Sequence, residues 1–179
     1  MASQAATLVF TGNLTGPNEN PPVPSPGTGT TVVTYDSVAH TLNVDVTFSG
    51  LVGTTTVAHI HCCVTPPGTV GVATFPGTFP GFPAGVTAGS YNGTIDLTML
   101  TSYTSGFLTN FTDGTAADAE ATLIGNMVAG RSYLNVHSSF AGSGEIRDFL
   151  TLVPEPGTYA LLGGALAFLS VYRLRKKSA

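Results

Sequence analysis

The chain has no tryptophan, two cysteines in 179 residues, and little charge: Asp, Glu, Lys and Arg make up 9% of it. Ordinary soluble domains carry roughly 25%. Two adjacent cysteines exclude both a multi-disulfide scaffold and a CxxC redox pair. Positive charge is scarcest. Residues 1–152 hold only Arg131 and Arg147 against nine acids, a balance near −7. A nucleic-acid partner is therefore excluded, because phosphate binding needs a basic surface. No GxxxxGK[ST] or GxGxxG loop is present, and no GxSxG elbow, so phosphate-cradling and serine-hydrolase readings fall away too. The opening residues, MASQAATLVF, have neither a basic n-region nor a long apolar stretch. The expectation is a secretory leader removed ahead of Met1, or a misplaced start.

Thr, Ser, Gly and Asn supply the polarity instead, and 22 glycines and 12 prolines imply many turns. In HTLNVDVTF, His40, Leu42, Val44, Val46 and Phe48 share one face and Thr41, Asn43, Asp45 and Thr47 the other. That is the two-residue period of a strand with one face buried. Residues 6–14, 29–36, 55–61, 91–98, 131–137 and 144–152 read likewise, separated by Gly, Pro or Asp. Seven short strands predict a mostly β fold, a Greek-key-like β-sandwich. TAADAEATLIGNMVAG (115–130) breaks the pattern. Its apolar residues fall at helical spacing, Thr115 and Asp118 suit a capping box, and Gly130 suits a terminator. One short helix on the sandwich is expected there. Two Pro- and Gly-rich stretches, 14–29 and 64–90, read as loops. The second carries Phe75, Phe79 and Phe82 and is long enough to cover a sheet face or a ligand.

AHIHCCVTPP (58–67) holds two of the four histidines and both cysteines. In the strand 55–61, His59 and His61 point one way and Ala58 and Ile60 the other. In 131–137, Tyr133, Asn135 and His137 lie opposite Leu134 and Val136. With the apolar residues inward, all three histidines face outward, and the loop after His61 can roof them. Such a set suits copper or zinc, for which neutral imidazole is a common ligand. The alternative is three histidines making ordinary hydrogen bonds. His40 has no visible partner. Cys62 and Cys63 are neighbours about 3.8 Å apart at Cα, below the usual disulfide range. Free thiols, extra soft metal ligands or bonds to another chain are the expected fates. Glu145 and Arg147, on one face of the last strand, suggest a structural ion pair.

The C-terminus reads VPEPGTYALLGGALAFLSVYRLRKKSA. An almost wholly apolar run from Thr158 to Tyr172 precedes Arg173, Arg175, Lys176 and Lys177. As a helix it reaches roughly 22 Å, short of the roughly 30 Å bilayer core. It suits a transient anchor held by basic residues. The tail resembles the PEP-CTERM sorting signal, with Pro154, Glu155 and Pro156 as the motif. That resemblance implies export, an exosortase-type membrane protease as partner, membrane anchoring before processing, and delivery to the cell envelope, surface or extracellular matrix. Two parts are thus expected: residues 1–152 as the folded body, and 153–179 as sorting signal, hydrophobic helix and basic tail.

FTGNLTGPNENPPV, LVGTTTVAHIHCC, FPGFPAGVTAGSY, YLNVHSS and GSGEIRDFL together resemble the CHRD (chordin-type) domain, common in bacterial exported proteins. They span residues 10–150 in order. Asp148 departs from the glycine the family often places after the arginine. The family's HIH, NVH and GEIR positions correspond to His59, His61, His137, Glu145 and Arg147. The resemblance implies a sandwich but no reaction. An outward His-x-His on a sandwich also resembles copper–zinc superoxide dismutase, though no second, bridging ligand set is visible. The leading expectation is an exported, non-enzymatic β-sandwich module acting on a matrix polymer or on itself, with a bound metal as an option. The alternatives are a copper/zinc redox enzyme using the three histidines, and a structural subunit self-associating through Cys62 or Cys63.

Overall fold

The computed structural model describes residues 7–154. Glu155, Pro156 and the apolar run after them lie outside these residues. None of the described helices is long and apolar enough to cross a membrane. Among the described residues eight strands form, at β1 (Thr7–Thr15), β2 (Thr28–Asp36), β3 (Thr41–Ser49), β4 (Thr55–Cys62), β5 (Gly89–Asp96), β6 (Ser132–Ser138), β7 (Ile146–Phe149) and β8 (Thr151–Leu152). Their positions follow the alternation in the sequence. In β3, Leu42, Val44, Val46 and Phe48 are buried while Thr47 is exposed.

The layering differs from expectation. One continuous antiparallel sheet, ordered β4-β6-β7-β1-β2-β3-β5 with β8 on β1, replaces the two stacked sheets of a superoxide-dismutase-like sandwich. The reason lies in β1. It pairs along its whole length with β2 and on its other edge with β7 and β8. That joins strands that a sandwich would keep in separate layers, and the sheet curls into a half-barrel around one core.

Phe10, Leu42, Val44, Ile60, Leu134 and Val136 fill this core. Its open side is closed by α2 (Ala116–Val128), which contributes Ala119, Leu123, Ile124 and Met127. Thr115 caps that helix by accepting from the Asp118 amide, and Gly130 ends it at φ +67°, a conformation costly for any residue with a Cβ. A second helix, α1 (Ser105–Phe111), was not expected. Its SGFLTNF sequence has low helix propensity and too few turns to show a period. The Thr104 cap and the burial of Phe107 hold it.

The long loop after β4 is a structural cover. Phe79 stacks on Tyr91 and Phe82 on Phe48, each with ring centroids 5.6 Å apart. Its backbone runs along the free edge of β4: Ala73 and Thr74 donate to the Ile60 carbonyl and Phe79 to that of Ala58. An unpaired strand edge is thereby sealed.

The expected Glu145–Arg147 ion pair does not form. Residues two apart on a strand stand about 6.8 Å apart, and each is captured by a different loop. Glu145 accepts from Ser25 Oγ and the Val52 amide at 2.6 Å, the Gly53 amide at 3.2 Å, and Ser138 Oγ. Burial pushes its carboxyl up, but these hydrogen bonds outweigh it and hold the pKa below 4.5. Glu145→Gln is therefore expected to cost roughly 1.5–3 kcal/mol at neutral pH in urea unfolding. A depressed folded pKa gives stability that is present above 4.5 and lost as pH falls through the folded value. The gap between wild type and variant should narrow in acid.

Candidate metal centre

β6 throughout and β4 from Ala58 onward are buried on both faces, by the core on one side and the loops on the other. Their register sets Ala58 opposite Val136 and Ile60 opposite Leu134 on the core side. On the loop side His59 lies opposite Asn135 and His61 opposite Tyr133, with His137 one step diagonal to His59. The three histidines are therefore turned away from the core, as the alternation predicts. They are not on the surface: His59, His61 and His137 are 5%, 7% and 8% exposed.

Each imidazole is oriented by a backbone carbonyl. His59 Nδ1 lies 3.0 Å from the Gly77 oxygen, His61 Nδ1 2.7 Å from that of Val70, and His137 Nδ1 2.9 Å from that of Gly142. The first two carbonyls belong to the covering loop, delivered to the rings by its pairing with the β4 edge. A carbonyl oxygen can only accept, so each Nδ1 carries the hydrogen. In a neutral imidazole, Nε2 is then a bare lone pair. The candidate ligand atoms of the three residues lie within 4.8 Å of one another. Nε2 of His59 and of His137 are 2.9 Å apart, and His61 Nε2 is buried without a hydrogen-bond partner.

Protonation does not relieve this crowding at neutral pH. Burial, helped by the proximity of His137, pushes His59 down to about 4. Burial and the His59 neighbour push His61 down to about 3, and burial lowers His137. Three uncharged rings thus turn lone pairs toward one small volume. That arrangement is unfavourable when empty; a carbonyl partner on the far nitrogen also fixes ring orientation at metal-binding histidines.

Residues 10–150 match the CHRD domain. The chain belongs to the CHRD domain family. No curated protein and no solved structure matches it significantly. As a CHRD protein it is a β-rich module of extracellular type, and the family match covers every residue of the histidine cluster.

The remaining site residues are distributed differently. Cys62 and Cys63 are bonded to each other. The peptide between them is cis, and their Cα atoms are 3.1 Å apart, still below the range usual for disulfides. The bond corrects all three expected fates: neither sulfur is a free thiol, a thiolate ligand or a link to another chain. Arg147, fully buried, donates from Nε to the Asn18 carbonyl at 2.7 Å and from its terminal nitrogens to those of Pro67 and Gly68. Glu19 lies 3.7 Å away. The guanidinium sits 4.6 Å from the Tyr133 ring centre, and Tyr133 stacks on His61 at 4.5 Å. Arg147 is thus the clamp that holds the covering loop over the histidines. His40 pairs instead with Glu120 of α2 at 2.9 Å.

Glu19 was missed in the sequence, where it sits in a Pro-rich stretch without periodicity. Burial pushes its carboxyl up to about 7, against the pull of Arg147. It packs with Asn135 over Gly144, where any Cβ would meet Asn135 at 2.4 Å and Glu19 at 2.7 Å.

The depressed histidine pKa values have a measurable consequence for the metal-free CHRD protein. Between the unfolded value of 6.5 and the lower folded values, the unfolded chain binds more protons. The histidines must therefore lower stability as pH drops below 6.5, by about 1.4 kcal/mol per pH unit for each proton, offset by one proton's worth from Glu19, whose raised pKa makes the folded chain bind the extra proton between 4.5 and about 7. Urea unfolding from pH 7 to 5 should show this slope, and His59→Ala should flatten it.

Proposed function

We propose that this CHRD protein is an exported, non-enzymatic module of the cell surface or extracellular matrix that holds one transition-metal ion between His59, His61 and His137. The observation that carries this reading is the convergence of one nitrogen from each of three rings within 4.8 Å, with Nε2 of His59 and His137 2.9 Å apart, His61 Nε2 buried without a partner, and each Nδ1 backed by a carbonyl. Imidazole suits copper and zinc, and the three ligands come from two paired strands that the fold holds rigidly. The ion would tie the covering loop to the sheet, since Gly77 and Val70 reach the same rings. Export rests on the C-terminal sequence: Pro154, Glu155 and Pro156 would be read by an exosortase-type protease while the apolar run anchors the chain in the membrane. Surface delivery would bring the module to a matrix polymer or to other copies of itself.

A superoxide-dismutase-like redox activity has less support. Among the described residues, the three histidines form the only group of His, Cys, Asp or Glu placed to hold an ion, and no bridging ligand adjoins them.

Metal-depleted protein titrated with zinc, and with copper in either oxidation state, should take up one equivalent of at least one of these ions. At a free concentration 100-fold above Kd the gain is about 2.7 kcal/mol of stability. His59→Ala and His137→Ala should abolish both uptake and stabilisation. Unchanged melting with every ion would remove the metal from the proposal. Independently, Glu155→Ala in an exosortase-bearing host should leave the tail uncleaved.

A further inference from the structure

The histidine cluster has one protein ligand fewer than a structural zinc site, which is almost always four-coordinate. Its three donors are all neutral imidazoles. No carboxylate belongs to the group, and the nearby cysteine sulfurs are bonded to each other. A bound ion therefore keeps its full charge in a buried place. The Born cost of burying an ion rises with the square of its charge, so a dication costs about four times as much as a monocation of the same size. A permanent charge that acts on the site is a cation: Arg147 lies over Tyr133, which stacks on His61.

Coordination number points the same way. Structural zinc is almost always tetrahedral, with four protein ligands, and catalytic zinc adds a water to three. Here a fourth side chain is absent from the group. The rings are less than a tenth exposed, and His61 Nε2 is sealed from solvent. A d¹⁰ monocation content with three nitrogen donors meets both conditions.

Resting on the metal-binding reading above, we propose that the ion this site selects is cuprous copper, Cu(I), held in a closed three-coordinate arrangement by Nε2 of His59, His61 and His137. The site is then a store or structural holder of reduced copper, and its lack of an open position keeps the ion from small oxidants.

The test is competition under anaerobic conditions with the full-length protein. Cu(I) is offered as its bicinchoninate complex, and Zn(II) and Cu(II) are offered against chromogenic chelators of known affinity. One Cu(I) per chain should transfer to the protein, with Zn(II) and Cu(II) bound at least 100-fold more weakly. X-ray absorption at the copper edge should give three nitrogen scatterers. Zn(II) or Cu(II) binding as tightly as Cu(I), or a four-coordinate copper spectrum, would overturn the cuprous assignment while leaving a metal site in place. Failure of all three ions to bind would remove the metal reading and this inference with it. His61→Ala should lose Cu(I) uptake. His61→Gln, which keeps a polar side chain near Val70, serves as a second variant, and circular dichroism checks that either one folds.

Discussion

The site depends on three hydrogen bonds from imidazole Nδ1 to backbone carbonyls. A carbonyl has no proton to give, so each contact decides which nitrogen carries the hydrogen and turns the other, bare, toward the centre. The covering loop, the strand register and the buried arginine all serve to place those carbonyls. The loop reaches Gly77 and Val70 because it pairs with the β4 edge. It stays there because Phe79 and Phe82 are anchored in the core and Arg147 grips Pro67 and Gly68 from beneath.

This makes the polar face of β4, β6 and β7 an interior in its own right. On one side of these strands the sheet packs an apolar core. On the other it carries a buried row of His59, Asn135 and Arg147, with Tyr133 and His61 beside it. Burying so many polar groups is costly unless each finds a partner. Most do. The exceptions are informative: His61 Nε2, Glu19 Oε1 and Asn135 Oδ1 remain unpaired in the same layer. In the first case the proposed cation would supply the missing partner.

Much of this was legible in the residues. The two-residue period placed the strands to within about two residues, apart from 144–152, which splits into β7 and β8, and put the three histidines on the face opposite Ala58, Ile60, Leu134 and Val136, because side-chain direction follows from strand geometry alone. The Phe-rich loop was recognisable as a cover. The closure of the sheet was not, since alternation says which face is buried and nothing about which strand lies beside which; β1 bridging β2 to β7 had to be seen. Glu145 and Arg147 share a face, but sharing a face fixes neither side chain's partner, and loops distant in sequence claimed both. The bond between Cys62 and Cys63 escaped because the usual Cα range was read as a limit, and this bond forms below it. The orienting carbonyls of Val70, Gly77 and Gly142 were invisible because any residue could supply them.

The most direct test of the account is the protonation state of the imidazole nitrogens, read by nitrogen-15 NMR on metal-free protein at pH 7. The account predicts Nδ1–H and an unprotonated Nε2 for His59, His61 and His137 alike. An Nε2–H on His59 or His137, bridging the 2.9 Å between them, would explain their closeness without any cation and contradict it.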